Sequence, residues 1–428
     1  MKVSQYSIVY NIDGNNYVVN TYSGAIGLVD DRIANKIIDK DNDLTDIDIN
    51  DSEKLLKNGF FVPDSLDEYG RILFEEQQKI YEKVKNIGFV IAPTLNCNFN
   101  CTYCFESNIK SITRMSDETE EKVIDFIIRQ IQNNDSKKLT ISWFGGEPML
   151  EINRIASISD KLISYCDNND IQYNAKIITN GYFLDEENCK KLQECKISFA
   201  QITLDGPEAI YNKEKKCPNN SYTRVIQNIK TAARYMKLSI RLNLKEEYYD
   251  VIDSWKEELL SNFKDIDNVN IYLAEVCDDW SDDLPLSGLC QKKYFDTARE
   301  IESYFTKNGI NSGRAHKLVR NKTNCSLMLK QRCVIGPNGE LYRCEHMIGK
   351  KDFVIGSCKE GFFHNDADSA FSDLKRPPKC RECRIFPICM SGCASDMVLQ
   401  KNDRIDCEGY LQTIDEYNKT RIRKLIKK

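Results

Sequence analysis

The stretch Pro93-Thr-Leu-Asn-Cys97-Asn-Phe-Asn-Cys101-Thr-Tyr-Cys104-Phe-Glu106 places three cysteines within eight residues, spaced C-x3-C-x2-C. One short loop with this spacing can wrap three thiolates around one corner of an iron–sulfur cube, and a [4Fe–4S] cluster takes four ligands. Three protein ligands leave one iron open, which is typical of a catalytic rather than a structural metal site. The alternatives are free thiols or a zinc site, but zinc prefers paired C-x2-C knuckles with a fourth ligand nearby, and none is close.

The composition supports metal ligation by cysteine. The chain has 428 residues, 18 cysteines and only 3 histidines. This cysteine density is below that of a disulfide-stapled secreted scaffold, and no signal peptide or membrane-length apolar run is visible. We therefore expect a cytoplasmic protein with reduced thiols, in which many cysteines indicate metal or iron–sulfur sites. The net charge of -5 argues against a nucleic-acid partner.

Strands and helices alternate over residues 86–310, which predicts a parallel sheet with right-handed crossovers. The predicted strands are Gly88–Pro93, Leu139–Phe144, Ala175–Thr179, Phe199–Leu204, Ser239–Leu244 and Val269–Ala274. The predicted helices are Asp117–Gln132, Glu186–Cys195, Tyr222–Met236, Ile252–Phe263 and Lys293–Lys307. Active-site loops should lie at the carboxyl ends of the strands. The pattern does not decide whether the sheet closes into a barrel.

Residues 1–85 predict a small separate domain. Tyr6–Tyr10 and Tyr17–Tyr22 are rich in β-formers, and the turn residues Asp13–Asn16 between them predict a hairpin. Short helices are expected at Ile33–Ile38 and Glu53–Leu56, and a charged helix from Leu66 to about Lys85 should lead into the next domain. An exposed strand edge in such a domain could accept an extended peptide as an added strand.

A second cysteine pattern marks residues 311–428. It reads Cys325-x7-Cys333, then Gly339-x4-Cys344, then Cys380-x2-Cys383-x5-Cys389-x3-Cys393-x13-Cys407. Eight cysteines are enough for two fully ligated [4Fe–4S] clusters. Two zinc knuckles are the alternative for this region. The remaining thiols are interpreted as ordinary: Cys166, Cys189, Cys195, Cys217, Cys277, Cys290 and Cys358.

The C-x3-C-x-aromatic-C loop resembles that of radical S-adenosylmethionine (SAM) enzymes. The resemblance implies an α/β fold, a partial (βα)6 TIM-like barrel over residues 86–310, in which Cys97, Cys101 and Cys104 hold a [4Fe–4S] cluster. It implies that SAM chelates the open iron and that one-electron reduction cleaves SAM. The resulting 5′-deoxyadenosyl radical abstracts hydrogen from the substrate, and an external flavodoxin- or ferredoxin-type reductant supplies the electron.

Strand-end motifs carry the resemblance further. Gly145-Gly146-Glu147-Pro148 ends the second strand, and in the family this segment holds the SAM amino group. Thr179-Asn180-Gly181 ends the third strand, and Thr203-Leu204-Asp205-Gly206 ends the fourth and matches the family's Ser-Leu-Asp-Gly. One departure is Tyr211-Asn-Lys-Glu-Lys215, where relatives carry His-Asp-x-x-Arg. Lys215 stands where the arginine would bind the SAM carboxylate, and lysine is a point charge rather than a bidentate fork. Turn or capping roles are the alternative for the polar residues. The implied SAM contacts are Tyr103, Gly145, Gly146, Glu147, Asn180, Thr203, Lys215, Arg241 and Asn243.

The C-terminal spacing resembles the SPASM domain of radical SAM peptide and protein maturases. The resemblance implies one auxiliary cluster on Cys325, Cys344, Cys393 and Cys407 and another on Cys333, Cys380, Cys383 and Cys389. The Cys325–Cys333 interval departs from that of sulfatase-maturing members, so one ligand could be swapped and an iron left open to a substrate thiolate. Glu345 follows Cys344 where relatives carry a catalytic aspartate, so it is a candidate base, with a surface role as the alternative.

The run Tyr17–Val29 resembles the start of maturases that modify ribosomally made precursor peptides. It implies that residues 1–85 form a PqqD-like, winged-helix-like module that binds a leader peptide. The predicted function is an intramolecular cross-link in such a precursor, with a cysteine thioether of sactipeptide or ranthipeptide type preferred. The alternatives are a formylglycine-forming sulfatase maturase, a C–C cross-linking maturase and a non-catalytic iron–sulfur carrier. No membrane partner is expected.

Overall fold

The structure, a computed structural model, describes residues 1–43, 45–275, 289–313, 320, 322–399 and 407–426. The chain divides into two units. The first comprises Met1–Glu82, His316–Leu329 and Ala370–Lys428, and the second comprises Lys83–Ala315 and Lys330–Ser369. The predicted C-terminal region 311–428 is therefore shared between both units. Cys277, predicted to be an ordinary thiol, lies outside the described residues.

The N-terminal part of the first unit is a three-stranded antiparallel sheet with helices on one face. Its elements are β1 (Lys2–Val3), β2 (Ser7–Ile12), β3 (Asn15–Asn20), β4 (Ile26–Val29), α1 (Asp31–Asp39), α2 (Ile49–Lys57), β5 (Phe61–Val62) and α3 (Glu68–Tyr81). The sheet order is β2-β3-β4. Asp13 and Gly14 form the β2–β3 turn with φ of 52° and 79°, the left-handed pair that a tight hairpin requires. The predicted hairpin is present, and β4 is an addition that the prediction lacked.

The second unit is built on one large sheet. Its elements are β6 (Asn86–Ile91), α4 (Asp117–Asn133), β7 (Lys138–Trp143), α5 (Ile152–Asn168), β8 (Gln172–Thr179), α6 (Glu186–Glu194), β9 (Ile197–Thr203), α7 (Glu208–Lys215), α8 (Ser221–Ala232), β10 (Lys237–Leu244), α9 (Ile252–Phe263), β11 (Val269–Glu275), α10 (Leu289–Lys307), β12 (Asn311–Ser312), β13 (Arg332–Ile335), β14 (Glu340–Tyr342), β15 (Gly356–Ser357) and β16 (Gly361–Phe362). All six predicted strands are present as β6 to β11. Helices α5 and α7 were not among the predicted helices.

The strand order β12-β11-β10-β9-β8-β7-β6-β13-β14-β15-β16 explains how the site is presented. Strands β6 to β12 run parallel, β13 joins β6 in parallel, and β14 to β16 form an antiparallel meander. Within the described residues the two ends of the sheet do not pair, which agrees with a partial barrel. Alternate residues such as Ile87, Phe89 and Ile91 face the helices and are fully buried, so the carboxyl ends of the strands are held on a rigid support.

The last four helices are α11 (Asp366–Ser372), α12 (Phe386–Cys389), α13 (Ala394–Val398) and α14 (Cys407–Ile426). The division between the units falls within α11, and α12 to α14 belong to the first unit. The outer face of the β2–β3 hairpin packs on α14 and on the segment before Cys389, in one apolar cluster of Ile8, Tyr10, Ile12, Val19, Ile385, Ile388, Ile414 and Ile422. The Tyr10 hydroxyl donates to Asp415 at 2.6 Å. In the described part of the chain, no helix has the length and apolarity needed to cross a bilayer.

Candidate active site

The cysteine loop follows β6 and is fixed to the end of helix α7. The backbone N–H of Asn100 donates to the carbonyl of Lys215 at 3.0 Å, and that of Thr102 donates to the carbonyl of Glu214 at 2.9 Å. The Lys110 ammonium donates to the Phe99 carbonyl at 2.9 Å. Because these contacts involve backbone groups within the loop, they fix its path at the carboxyl end of the first parallel strand.

The three loop thiols are suited to an iron–sulfur cluster. Burial raises the pKa of Cys97 to about 12, and a thiolate at Cys101 would raise the pKa of both Cys97 and Cys104, so the three lie within electrostatic reach of one another. Lys215 opposes the effect of burial on the pKa of Cys101, as Lys110 does for Cys104. No three His, Cys, Asp or Glu side chains of the described residues converge tightly enough for a single metal ion. A cubane cluster spreads its ligands more widely, so the donor set fits it.

The two glycines after β7 pack against the start of the cysteine loop. A Cβ on Gly145 would lie 2.4 Å from the Thr94 carbonyl oxygen, and one on Gly146 would lie 2.3 Å from that of Asn96. The backbone N–H of Gly146 donates to Thr94 at 3.2 Å, and that of Glu147 donates to Asn96 at 2.8 Å. The glycines were predicted to permit close approach to a ligand. The structure shows close approach to the backbone that leads into Cys97, so they position the cluster loop.

Glu147 connects the ends of two neighbouring strands. Its carboxylate accepts from the Thr179 hydroxyl at 2.7 Å, from the Asn180 N–H at 2.8 Å and from the Met149 N–H at 2.9 Å. Burial raises its pKa to about 7, although these hydrogen bonds act in the opposite direction. The side chain is buried and hydrogen-bonded to these three groups, and its predicted contact with SAM stays a prediction.

Asn180 continues this connection to the cysteine loop. Its amide nitrogen donates to the side chain of Asn98 at 2.8 Å, and its side-chain oxygen accepts from the Tyr182 N–H at 2.9 Å. The residue is half-buried at the end of β8. The structure therefore brings Asn180 to the cluster loop, while its predicted contact with SAM stays a prediction.

Lys215 is part of a buried triad. Its ammonium lies 2.8 Å from the Asp205 carboxylate, with exposed fractions of 3% and 0%. The Tyr103 hydroxyl bonds to both groups. Burial alone would lower the pKa of Lys215, but Asp205 and Tyr103 hold it well above its usual value. Lys215 was predicted to bind the SAM carboxylate. In that role its ammonium would have to bind the carboxylate in addition to Asp205 and Tyr103, which it already contacts.

The other predicted polar contacts gather at the ends of β9 and β10. Thr203 and Arg241 are register partners. The Arg241 guanidinium donates to the Asn243 side chain at 2.9 Å, and the Asn243 N–H donates to Asp205 at 3.3 Å. Arg241 is half-buried and Asn243 is buried. The sheet thus places these three predicted residues beside the Lys215 triad.

The turn after Cys344 lies at the same end of the second unit. Burial raises the pKa of Glu345, and Lys176 of β8 opposes that effect. One carboxylate oxygen of Glu345 is buried without a hydrogen-bond partner in the described part of the chain. His346 lies against the Phe105 ring, with ring centroids 4.4 Å apart. Burial is the main cause that lowers the pKa of His346 to about 4, and the positive charges of Lys350 and Arg241 lower it further.

The sequence analysis did not identify the cluster of aromatic rings at this end of the sheet, which consists of Phe105, Phe144 and His346. Phe105, just after Cys104, stacks on Phe144 with centroids 6.1 Å apart and also contacts His346. Lys176 was missed as well. The position of Phe105 beside the cysteine motif, and that of Phe144 beside the glycine pair, were the signals that could have identified them.

Four C-terminal cysteines line one cavity of the first unit, of about 330 Å³. They are Cys380, Cys383, Cys389 and Cys407. Cys407 begins α14, which packs on the segment around Ile385 and Ile388. A thiolate at Cys380 or Cys407 would add to the effect of burial on the pKa of Cys383. This grouping differs from the predicted partition. The prediction placed Cys333 with Cys380, Cys383 and Cys389, and it assigned Cys407 to the other cluster.

Two further predicted ligands are linked within the first unit. The side-chain amide of Asn324 donates to the carbonyls of Met390 and Gly392 at 2.6 and 2.7 Å. This residue precedes Cys325, and Gly392 precedes Cys393. The backbone next to Cys325 is therefore hydrogen-bonded to the backbone next to Cys393, and both cysteines were predicted for the same cluster. Cys333 and Cys344 belong to the second unit.

Comparison with known proteins gives a family match and several relatives. Residues 91–272 match the radical SAM superfamily. The chain is 23% identical over 372 residues to the cysteine-type anaerobic sulfatase-maturating enzyme of Clostridium novyi, covering 76% of this chain and 94% of that protein. It is 25% identical over 223 residues to the radical SAM cyclopropyl synthase TigE of Paramaledivibacter caminithermalis, covering 45% and 46% of the two chains.

Solved structures share the fold. A structure of native anSMEcpe with bound AdoMet superposes with a TM-score of 0.59 and 18% identity, covering 79% of this chain and 98% of that chain. Streptococcus suis SuiB bound to precursor peptide SuiA superposes with a TM-score of 0.53 and 15% identity, covering 96% and 99%. At these identities the likeness establishes the architecture: an α/β radical SAM fold with a C-terminal extension.

Proposed function

We propose that the chain is a radical SAM enzyme that matures a peptide, because residues 91–272 match the radical SAM superfamily. The proposed reaction joins two side chains of a ribosomally made precursor, with a thioether from cysteine as the preferred product. An external one-electron reductant of flavodoxin or ferredoxin type is the proposed electron source.

The observation that carries the proposal is the N-terminal module. SuiB, whose solved complex holds a precursor peptide, matches 96% of this chain, whereas anSMEcpe matches 79%. The difference is 17% of the chain, about 70 of its 428 residues, which is comparable to the 85 residues of the N-terminal module. We propose that this module binds the leader segment of the substrate.

Strand β4 is the proposed docking edge. It is the terminal strand of the β2-β3-β4 sheet, and its Leu28 is 65% exposed. An extended peptide can add to such an edge by main-chain hydrogen bonds. Holding the leader there raises the effective concentration of the rest of the peptide at the barrel.

Each part of the site has a proposed role. Cys97, Cys101 and Cys104 would hold the SAM-cleaving cluster, which when loaded supplies a carbon radical that takes a hydrogen atom from the substrate. The Lys215–Asp205–Tyr103 triad positions the loop. Forming a cross-link removes a second hydrogen as a proton and an electron, and we propose the buried oxygen of Glu345 as the proton acceptor. Clusters on the C-terminal cysteines are the proposed electron acceptors.

Mass spectrometry of a co-expressed precursor peptide tests the reaction class. A cross-link lowers the peptide mass by two hydrogens without loss of sulfur. The match to the Clostridium novyi protein favours the formylglycine alternative as a second candidate. Conversion of a cysteine to an aldehyde, with loss of its sulfur, would establish that alternative and reject the cross-link.

Leu28→Asp tests the docking edge, because a charge on an edge strand opposes strand addition. Removing residues 1–85 is unsuitable, since the β2–β3 face is packed on α14. Leu425→Asp is the matched control, at an apolar side chain that is 54% exposed on α14. We expect Leu28→Asp to keep SAM cleavage and lose peptide processing, with Leu425→Asp unchanged in both. Unimpaired processing by Leu28→Asp would reject this docking edge.

A further inference from the structure

Strands β6 to β10 carry charge of one sign. The chain as a whole is acidic, with 65 Asp and Glu residues against 60 Lys and Arg. The charged residues of these five strands are nevertheless all cationic, and they are Lys138, Lys176, Lys237 and Arg241. Lys138 and Lys237 begin β7 and β10, whereas Lys176 and Arg241 lie in the middle of β8 and β10. The two central cations are the ones that the sheet holds most rigidly.

The strand register directs Lys176 to the inside of the partial barrel. Ile91 faces the helices, it pairs with Trp143 of β7, and Trp143 pairs with Ile177 of β8. Paired residues of neighbouring strands point to the same face, and successive residues of one strand point to opposite faces. Ile177 therefore faces the helices, and Lys176 points to the other face, which is the inside of the barrel.

Arg241 points to the same interior. Ile177 pairs with Ala200 of β9, and Ala200 pairs with Leu238 of β10, so Leu238 also faces the helices. Arg241 lies three residues further along β10 and takes the opposite face. Its charge acts on His346, which lies against the Phe105 ring. The two cations therefore face one space inside the second unit.

Both cations keep donors that the described residues do not use. Lys176 is exposed and makes no hydrogen bond or salt bridge within the described part of the chain. Arg241 donates from Nε to Asn243 at 2.9 Å, and its two terminal nitrogens have no acceptor among the described residues. Of the nearby carboxylates, Asp205 is taken by Lys215 at 2.8 Å. Glu345 is within electrostatic reach of Lys176 but forms no salt bridge with it.

The position of Lys176 along β8 separates it from the predicted SAM contacts. Asn180, at the end of β8, donates to Asn98 of the cluster loop at 2.8 Å. Lys176 precedes Asn180 by four residues, which is about 13 Å along a strand. The predicted contact with the SAM carboxylate is Lys215, at the strand ends. A cation deeper in the barrel is therefore available to a second anion, and walls of low polarity strengthen its attraction for one.

We propose that Lys176, together with Arg241, binds a carboxylate of the peptide substrate, so that the segment entering the barrel carries Asp or Glu close to the residues to be joined. The inference deepens the proposed function and rests on it. An internal peptide segment offers carboxylates on its side chains alone, which excludes the chain terminus as the source. The contact is an ion pair with charge-assisted hydrogen bonds, and no covalent bond is made or broken in it.

Binding of two synthetic peptides to the reconstituted full chain tests the proposal. The probes are fluorescein-labelled Gly-Cys-Gly-Gly-Asp-Gly-Gly-Gly and the same peptide with Asn in place of Asp, both amidated at the carboxyl end. In fluorescence anisotropy we expect the Asp peptide to bind about 10- to 100-fold more tightly than the Asn peptide. Lys176→Met should reduce this preference at least about tenfold.

Lys190→Met is the matched control, because Lys190 lies on α6 with its side chain 61% exposed. This variant should keep the preference of the wild type for the Asp peptide. Equal binding of the two peptides by the wild type, including no binding of either, would overturn the proposal. An unchanged preference in Lys176→Met would overturn it as well.

A second measurement leaves Lys176 intact. Brief treatment of the wild-type protein with N-hydroxysuccinimidyl acetate acetylates accessible lysines, and peptide mapping by mass spectrometry reports the extent at each one. The Asp peptide should slow acetylation of Lys176 relative to the Asn peptide, while Lys190 reacts equally with both present. Equal acetylation of Lys176 with either peptide would contradict the carboxylate contact.

The outcomes separate this inference from the proposed function. A co-expressed precursor that gains its cross-link, with equal binding of the Asp and Asn peptides, would reject the inference alone. Preferential binding of the Asp peptide, with a precursor that lacks a cross-link, would support the inference and reject the proposed reaction. Failure of both measurements would reject both.

Discussion

Replacing Gly146 by alanine should displace the cluster loop. The added Cβ would lie 2.3 Å from the Asn96 carbonyl oxygen and 2.7 Å from that of Leu95, whereas ordinary contact starts at 3.4 Å. The difference between 3.4 and 2.3 Å requires a movement of about 1.1 Å. Both obstacles are backbone groups immediately before Cys97, so the movement passes directly into the ligand loop.

The expected result is a folded protein with impaired chemistry. Overpacking of this kind costs about 1–3 kcal/mol of unfolding free energy. A displacement of about 1 Å at a reacting centre can reduce a rate about 100-fold. We therefore expect Gly146→Ala to keep the proposed C-terminal clusters and to produce 5′-deoxyadenosine about 100-fold more slowly. The assay is anaerobic reconstitution, chemical reduction in the presence of SAM, and chromatographic quantification of 5′-deoxyadenosine.

Gly88→Ala is the matched control. Gly88 lies in β6 of the same sheet, and its added Cβ would lie 3.3 Å from the Thr140 carbonyl oxygen, close to ordinary contact. This variant should cleave SAM at nearly the wild-type rate. A wild-type rate in Gly146→Ala would refute the reasoning, because the glycine would then not be needed for the approach of the two backbones.

Three further predictions follow from the buried polar groups. Tyr103→Phe removes the hydroxyl shared by Lys215 and Asp205, and we expect a loss of about 1.5–3 kcal/mol in denaturant unfolding, with unchanged stability contradicting the triad. Glu147 has a folded pKa of about 7, above its ordinary 4.5, so the native state binds the extra proton. Unfolding free energy should therefore fall as pH rises from 4.5 to 7, and Glu147→Gln should flatten that slope. Arg376→Met removes the cation that pairs with the buried Glu76 carboxylate, and it should lower the free energy of unfolding in denaturant by about 3–5 kcal/mol. Lys54→Met, which removes the exposed pair with Asp51, should leave that free energy almost unchanged.

The strands of the second unit were predictable because their apolar residues are continuous and their ends carry distinctive turns. The six predicted strands coincide with β6 to β11 to within a few residues. Helix α5 was missed, although Ile155, Ile158 and Leu162 share one buried face, because serine and asparagine weaken its helical signal. The short strands β13 to β16 depend on pairing with β6 and with each other, which local sequence does not reveal.

The candidate site shows the same division. The loop cysteines and the residues that follow the strands could be located from motifs, because a parallel sheet gathers its carboxyl ends. The contacts that these side chains make could not be predicted in this way. The sequence suggested that Lys215 would face a ligand, but Asp205 lies 2.8 Å away and the pair is buried. Likewise, the resemblance implies that Cys333 is a cluster ligand, and only the strand register shows that it is paired with Phe89 of β6.

The discontinuous first unit sets an order for folding during synthesis. Its N-terminal strands share one apolar cluster with α14, and residues 21–406 separate the end of β3 from the start of α14. At about 5–20 residues per second, the ribosome takes roughly 20–80 s to make that intervening stretch. During this interval the β2–β3 face, with Ile8, Tyr10 and Ile12, has no α14 to cover it. The second unit can form in the meantime, so the segment that we expect to recognise a peptide is among the last parts of the chain to acquire its final structure.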